Sequence, residues 1–296
     1  MIDRRLFIAG MAGALAPVKG LAQPAAPTAR DVFSEIKRAS GQKWDPNPTD
    51  DRIIFGDRGA VVTGIATCFT ASIDVLGTAR AAGLNYIVPH EASFYERYDD
   101  FAESALPDSD PVLRAKKAFL TDNRMIVQRM HAHAHSRPGD AIMTGMLRKL
   151  GWEALRVTGR EGPPWVRLPP QSARDLGLHI KTAMGLHTLR MFGDPARTIS
   201  TVSLSGGMPG ENIQIQQLES GADAVFLGEV REPEVLGYAQ DMAADRGLTV
   251  YLVGHTNEDA GMGLIADWLK TIFPSLPVQW LPTPDPGMIV VETRSN

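Results

Sequence analysis

Residues 247–261 read Gly-Leu-Thr-Val-Tyr-Leu-Val-Gly-His-Thr-Asn-Glu-Asp-Ala-Gly, and this stretch constrains the fold more than any other. Its first half predicts a strand, because Leu248, Val250, Leu252 and Val253 form an apolar, β-branched run after Gly247. A polar turn carrying His255 and Glu258 follows. Leu264, Ile265, Trp268, Leu269 and Ile272 then recur at helical spacing until Pro274. Strand, donor-bearing turn and helix make a unit of open α/β sheets, whose ligands bind at the carboxyl ends of strands. An imidazole and a carboxylate leaving one strand end together suit a metal ion.

Other stretches echo this unit. Residues 83–91 are a strand-like run ending in His90 and Glu91, and residues 123–135 a run ending in His131, His133 and His135. Residues 221–229 end in Glu229. Glu91 lies as far from Gly83 as Glu229 from Gly221, and His131 as far from Asn123 as His255 from Gly247. The chain therefore reads as a weak internal duplication, each half offering two strands that end in donors.

At 296 residues, with 44% apolar and 22% charged residues, the chain is long and apolar enough for a sizeable core and is not of disordered composition. A net charge of −4 gives no reason to expect nucleic acid or an anionic membrane surface as partner. Cys68 is the only cysteine, so no intramolecular disulfide forms. The N-terminus nevertheless has the plan of an export signal. Arg4 and Arg5 lead into an apolar stretch through Leu15, and small residues follow to a cleavage point after Ala22. The paired arginines resemble the twin-arginine type, which implies a periplasmic location. The apolar run is shorter than the roughly 20 residues of a membrane span, so no membrane association is expected after cleavage.

Residues 1–22 are thus read as a signal peptide and residues 23–30 as a linker. Residues 31–155 and 156–296 are read as two α/β halves of one domain. Within them a helix is expected over Asp31–Ala39 with Asp31 as cap, and a strand over Val61–Ala66. Pro111–Asn123 is expected to be a helix behind Asp110, and Asp140 to cap another. The segment between Glu91 and Asp110 reads as a loop over the strand ends. The Gly- and Pro-rich residues 157–170 read as the boundary between halves. A helix over Ala173–Met184, strands over Leu189–Phe192 and Ile199–Leu204, and a last strand over Met288–Glu292 complete the pattern. Alternating strands and helices predict an α/β fold with a mixed or mainly parallel sheet.

Five of the seven histidines, His90, His131, His133, His135 and His255, fall at predicted strand ends, with Glu91 and Glu258 beside them. His179 and His187 lie elsewhere and read as ordinary surface or core residues. In a strand His131, His133 and His135 would share one face, although not all three need bind. The turn Ser205–Gly210 precedes a helix and could cradle a phosphate at its N-terminus. It lacks the lysine and spacing of a P-loop, so a plain tight turn is the preferred reading. No nucleophile dyad is evident: Ser205 has no partner in sequence, and Cys68 sits within a strand, where thiols are inert.

These residues resemble the Nif-three-like family, the dinuclear-metal-centre proteins labelled in bacteria "GTP cyclohydrolase 1 type 2 homolog". The resemblance runs from Asp31 to Pro286. It rests on Gly56-Asp57, the His90 and His131 runs, residues 189–195, Ser205-Gly-Gly, Gly228-Glu229, and Gly254-His255 with Glu258. Three departures stand out. The family has two adjacent histidines where this chain has His90 and Glu91. It has a histidine followed four residues on by an aspartate where this chain has His131 and His135. Its closing histidine-to-glutamate spacing is one residue longer than His255 to Glu258. The first two exchanges compensate, so the set His90, Glu91, His135, His255 and Glu258 keeps three imidazoles and two carboxylates. His131, His133 and Glu229 are the alternative ligands or second-layer residues, and His131 or His133 could carry a proton.

The resemblance implies two α/β halves packing their sheets around a metal cleft. It implies two divalent ions, zinc, iron or manganese, and a homo-oligomer such as a hexameric ring. The function implied is a metal-dependent hydrolase of a small-molecule substrate, with Glu91 and Glu258 bridging or ligating and the histidines ligating. The alternative from another class is a non-catalytic periplasmic metal- or ligand-binding protein of the same fold. A third is a relative that has lost its metal.

Overall fold

The computed structural model describes residues 26–44, 50–136 and 140–285. The expected signal peptide, the start of the linker and the expected strand Met288–Glu292 lie outside them.

The first helix, α1 (Ala29–Ser40), opens on a reciprocal cap. The Asp31 N–H donates to the Thr28 hydroxyl at 3.3 Å, and the Thr28 N–H donates to the Asp31 carboxylate at 2.9 Å. Thr28, not Asp31, is therefore the cap; Asp31 serves from inside the first turn. Four strands follow with two helices between them: β1 (Ile53–Phe55), β2 (Ile65–Cys68), α2 (Ile73–Ala81), β3 (Tyr86–Pro89), α3 (Pro111–Asp122) and β4 (Ile126–Gln128). The strand expected over Val61–Ala66 begins only at Ile65. Val61 instead bridges Thr28, and the Val62 N–H donates to the Pro27 carbonyl, so this stretch anchors the start of α1.

The chain then departs from expectation at the histidine run. β4 stops at Gln128, and His133 and His135 lie on a short helix, α4 (Ala132–Ser136). The three histidines do not share a strand face; helical spacing brings His131 and His135 together and turns His133 away. Next comes α5 (Ala141–Lys149), whose Asp140 cap accepts from the Met143 N–H at 3.0 Å.

The Gly- and Pro-rich stretch read as a boundary is itself part of a sheet. It carries β5 (Arg156–Val157) and β6 (Trp165–Ser172), an antiparallel pair. Then follow α6 (Ala173–Met184), β7 (Arg190–Phe192), β8 (Thr198–Leu204), α7 (Glu211–Leu218), β9 (Ala224–Leu227), α8 (Gly237–Arg246), β10 (Thr249–Leu252) and α9 (Asp259–Ile272). Pro169 and Pro170 fall where the β6–β8 pairing shifts register, between Arg167 and Gln171, a position that tolerates missing N–H donors.

Among the described residues these strands form two mixed sheets. The first has order β1-β4-β3-β2-β11 and the second β5-β6-β8-β9-β10-β7. Strand β11 (Val278–Trp280) comes back from the second half to pair in parallel with β2. Read from β1 and from β7, the first four strands of both sheets have one connectivity: three parallel strands and an antiparallel edge. The duplication extends to detail. Phe55-Gly56-Asp57 leaves β1 and Phe192-Gly193-Asp194 leaves β7. A Cβ on Gly56 would lie 2.6 Å from the Met125 carbonyl, and one on Gly193 would lie 2.7 Å from the Leu248 carbonyl, so both turns require glycine.

The halves meet where α5 crosses α9. A Cβ on Gly145 would lie 2.5 Å from Gly261 Cα, so backbone rests on backbone there. One hydrophobic cluster runs through this seam, joining Ile65 and Val88 of the first sheet to Met146, Ile265 and Phe226. Among the described residues no helix is long and apolar enough to cross a membrane.

Candidate metal centre

The seam points the carboxyl ends of the parallel strands of both sheets at one place. His90 and Glu91 leave β3 there, fixed by donation from their N–H groups to the Cys68 and Phe69 carbonyls. His131 leaves β4 and His135 follows on α4. His255 and Glu258 leave β10 on one turn of 3-10 helix. Four donors come from the first half and two from the second.

Their spacing is that of a coordination site. His90, His131 and His135 each place a ring nitrogen within 4.8 Å of the others, and His90, Glu91 and Glu258 do the same. The His90 and His131 rings stack at 4.6 Å. Glu91 Oε1 lies 3.3 Å from His131 Nε2 and 3.3 Å from His255 Nε2. Glu258 Oε2 lies 3.3 Å from His90 Nε2 and 3.3 Å from His255 Nε2.

His90 is fully buried and its Nδ1 faces the Met130 carbonyl at 3.3 Å. That leaves Nε2 aimed at Glu258 Oε2, yet both atoms are buried without a hydrogen-bond partner. Their 3.3 Å approach is electrostatic and does not meet hydrogen-bond geometry. Buried polar atoms are almost always satisfied. A lone pair on nitrogen and one on oxygen, left bare and facing the same point, fit a cation.

The titration behaviour agrees. Burial pushes the His90 imidazole toward its neutral form. Burial pushes Glu91 upward, but His131 and His255 more than offset this and hold it well below the usual carboxylate range. Glu258 is likewise drawn down to about 2 by His255 and His90 despite burial. Burial favours neutral His255, yet Glu258, Glu91 and Glu229 raise it to about 11.

Supporting contacts orient the donors. Glu229 holds His255 Nδ1 at 2.9 Å, so Nε2 faces the cluster. Arg129 reaches Glu91 Oε2 at 3.0 Å and the His90 carbonyl at 3.2 Å. Asp51 is buried and accepts from the His131 N–H, the His133 N–H and the His133 ring. His133 is thereby held away from the cluster and lies flat against Trp44, with ring centroids 3.6 Å apart. Beside the donors opens a cavity of about 790 Å³, lined by His131, His135, His255, Glu91 and Glu258 on one side and by Met143 and Met208 elsewhere.

The sequence profile of the Duf34/NIF3 (NGG1p interacting factor 3) family matches residues 34–286. The chain belongs to this family. Solved structures agree on the fold. A Staphylococcus aureus protein, SA1388, aligns with a TM-score of 0.68 at 14% identity, covering 90% of this chain and 100% of that one. A Bacillus cereus protein related to NIF3 aligns at 0.69 with 13% identity, covering 89% and 99%. The protein ybgI, of unknown function, aligns at 0.69 with 21% identity, covering 88% and 100%. A comparison with curated protein sequences finds no match.

Within this NIF3 fold, His90, Glu91, His135, His255 and Glu258 converge, and His131 stands among them rather than behind them. Glu229 touches His255 from outside, and His133 is apart. His179 and His187 also lie elsewhere; His179 stacks on Trp152. Asp51 carried no signal in the sequence, because its role depends on where His131 and His133 are placed, 80 and 82 residues away from it in the chain. Arg129 sits two residues before His131 in a strand-like run, where a buried arginine was itself a signal of a buried carboxylate.

Proposed function

We propose that this NIF3 protein is a metal-dependent hydrolase with a dinuclear centre. The observation that carries the reading is the pair of bare, buried atoms His90 Nε2 and Glu258 Oε2 facing each other inside a ring of imidazoles and carboxylates. His90 has one free nitrogen and can serve one ion only. Grouping it with His131 and His135 leaves His255, Glu91 and Glu258 for a second ion, with the two carboxylates lying between the groups. Mixed nitrogen and oxygen donors suit zinc, iron or manganese. When bound, such ions supply Lewis acidity toward a scissile group and a water activated at neutral pH.

The chain's own residues do the rest. Glu229 fixes the His255 ring and Arg129 fixes the Glu91 carboxylate, so the donors are held before a ligand arrives. The open cavity beside the donors gives a small molecule access, which supports turnover over closed storage of metal. Elemental analysis of protein purified without chelator should give about two ions per chain, and turnover of model esters should vanish on chelation and return on reloading. Protein that takes up no metal after reloading would refute this reading. Metal uptake without turnover of any ester would leave a binding protein.

A further inference from the structure

The turn Ser205–Gly210 and the helix behind it contribute nothing to the donor cluster, yet they form one wall of the same cavity. Ser205 is only 6% exposed, and its hydroxyl is buried with no hydrogen-bond partner among the described residues. Gly210 begins α7 without a side-chain cap. The first bond of that helix runs from the Gln214 N–H to the Gly210 carbonyl, so the N–H groups of Glu211, Asn212 and Ile213 come before it. Gly210, Glu211 and Ile213 all line the cavity.

The turn also lies hard against the donors. A Cβ on Gly207 would sit 2.6 Å from Glu258 Oε1 and 2.8 Å from His255 Nε2, and one on Gly206 would sit 2.8 Å from Glu258 Oε1. Only bare backbone fits there. Two acids of this wall are already matched, Glu211 with Arg231 at 2.7 Å and Glu229 with His255 at 2.9 Å, while Glu258 belongs to the donor cluster. Arg97 also lines the cavity, its guanidinium lying over the Tyr98 ring at 5.1 Å. An orphaned hydroxyl, a free helix N-terminus and nearby guanidinium groups favour an anion.

We infer that this turn is a subsite for a phosphoryl group, so that the metal centre takes phosphate esters. The N–H groups that open α7, with Glu211 and Ile213 at the cavity wall, and a hydroxyl match an acceptor-rich tetrahedral group better than a flat carboxylate. The hydrolytic part rests on the proposed metal-dependent function; the binding of phosphate does not. In the reaction, water adds its oxygen to phosphorus and the P–O bond to the alcohol oxygen breaks. The alcohol leaves with one proton of that water, and no oxidant or reductant takes part.

Chelator-treated protein should bind inorganic phosphate saturably in a calorimetric titration. Ser205→Ala should weaken that binding about tenfold, the size expected for one hydrogen bond to a charged group. Arg231→Gln, on an exposed side chain, should weaken it as well without touching the core. Both variants should reload metal as the parent does. Absence of binding to the metal-free protein, variants that bind like the parent, or acetate binding as tightly as phosphate would each overturn the inference. If instead no metal reloads while phosphate still binds through Ser205, the hydrolase reading falls and the subsite stands.

Discussion

Glu91 and His135 both lie within ligand range of His90, and the exchange of donor types expected between them is a proposal that variants can test. Glu91→His alone removes a negative charge from the cluster, and His135→Asp alone adds one. Each should weaken metal binding, by roughly 10- to 100-fold as for other disturbed sites. The double variant should recover much of the loss, because residues sharing a site are not additive. Metal titrations of the four proteins decide the point; simple addition of the two losses would separate the pair. Gly207→Ala makes a second test. Its methyl would press on Glu258 and His255, and the residue has φ +46°, so both metal affinity and the melting temperature should fall. An unchanged affinity would mean the turn does not constrain the donors. How far such residues were legible depends on local period. His90, Glu91, His255 and Glu258 announce themselves by ending apolar runs. His131 and His133 could not be ranked, because a five-residue helix is too short to display a period of its own. Strand spacing makes the two equivalent and helical spacing makes them opposite.

At the scale of elements, the two halves solve one problem with different chemistry. The Asp223 carboxylate, at the start of β9, accepts from the Ser200 and Thr201 N–H groups and the Thr201 hydroxyl at 2.9–3.0 Å. Asn85, at the start of β3, accepts from the Thr63 N–H at 2.8 Å and donates to the Val61 carbonyl at 2.9 Å. Both side chains staple the approach to the preceding parallel strand. Burial pushes the Asp223 carboxyl up, but the bonds from Ser200 and Thr201 outweigh it and lower its pKa. A depressed folded pKa means a stabilisation present above the unfolded value of about 3.9 and lost as pH falls through the folded value. Asp223→Asn should therefore cost about 1 kcal/mol near neutrality, the scale of a hydrogen bond, and lose less stability than the parent on acidification. Melting curves from pH 7 to pH 3 would show the two proteins converging; a constant gap would refute the assignment. The same scale explains which elements could be read in advance. Helix α6 was legible to its ends, because Ser172 and Gly185 bracket an unbroken helical pattern. Strand β6 was not, because Pro169 and Pro170 look like a linker until the register shift that accommodates them is seen.

For the whole molecule, the donors are divided between halves, with His90, Glu91, His131 and His135 on one side of the α5–α9 seam and His255 and Glu258 on the other. The site exists only when both halves are folded and docked. This gives meaning to the export reading of residues 1–22, which remains a proposal. A twin-arginine route carries folded chains, so a site assembled from two halves could be loaded before export. Changing Arg4 and Arg5 to lysine should retain the protein in the cytoplasm, as measured by fractionation. Unchanged periplasmic yield would refute the twin-arginine assignment.

Strand β11 has a consequence for the timing of synthesis. It supplies an edge of the first sheet, beside β2, but it is translated after every strand of the second. A growing chain therefore carries β2 with one side unpaired throughout the making of the second half, and an unpaired strand edge invites association with other chains. Nascent chains arrested before residue 278 emerges should be cut readily by protease around β2, and chains released beyond residue 280 should resist. The first sheet to be made is the last to be finished, so the ribosome must deliver nearly the whole protein before the first half can close.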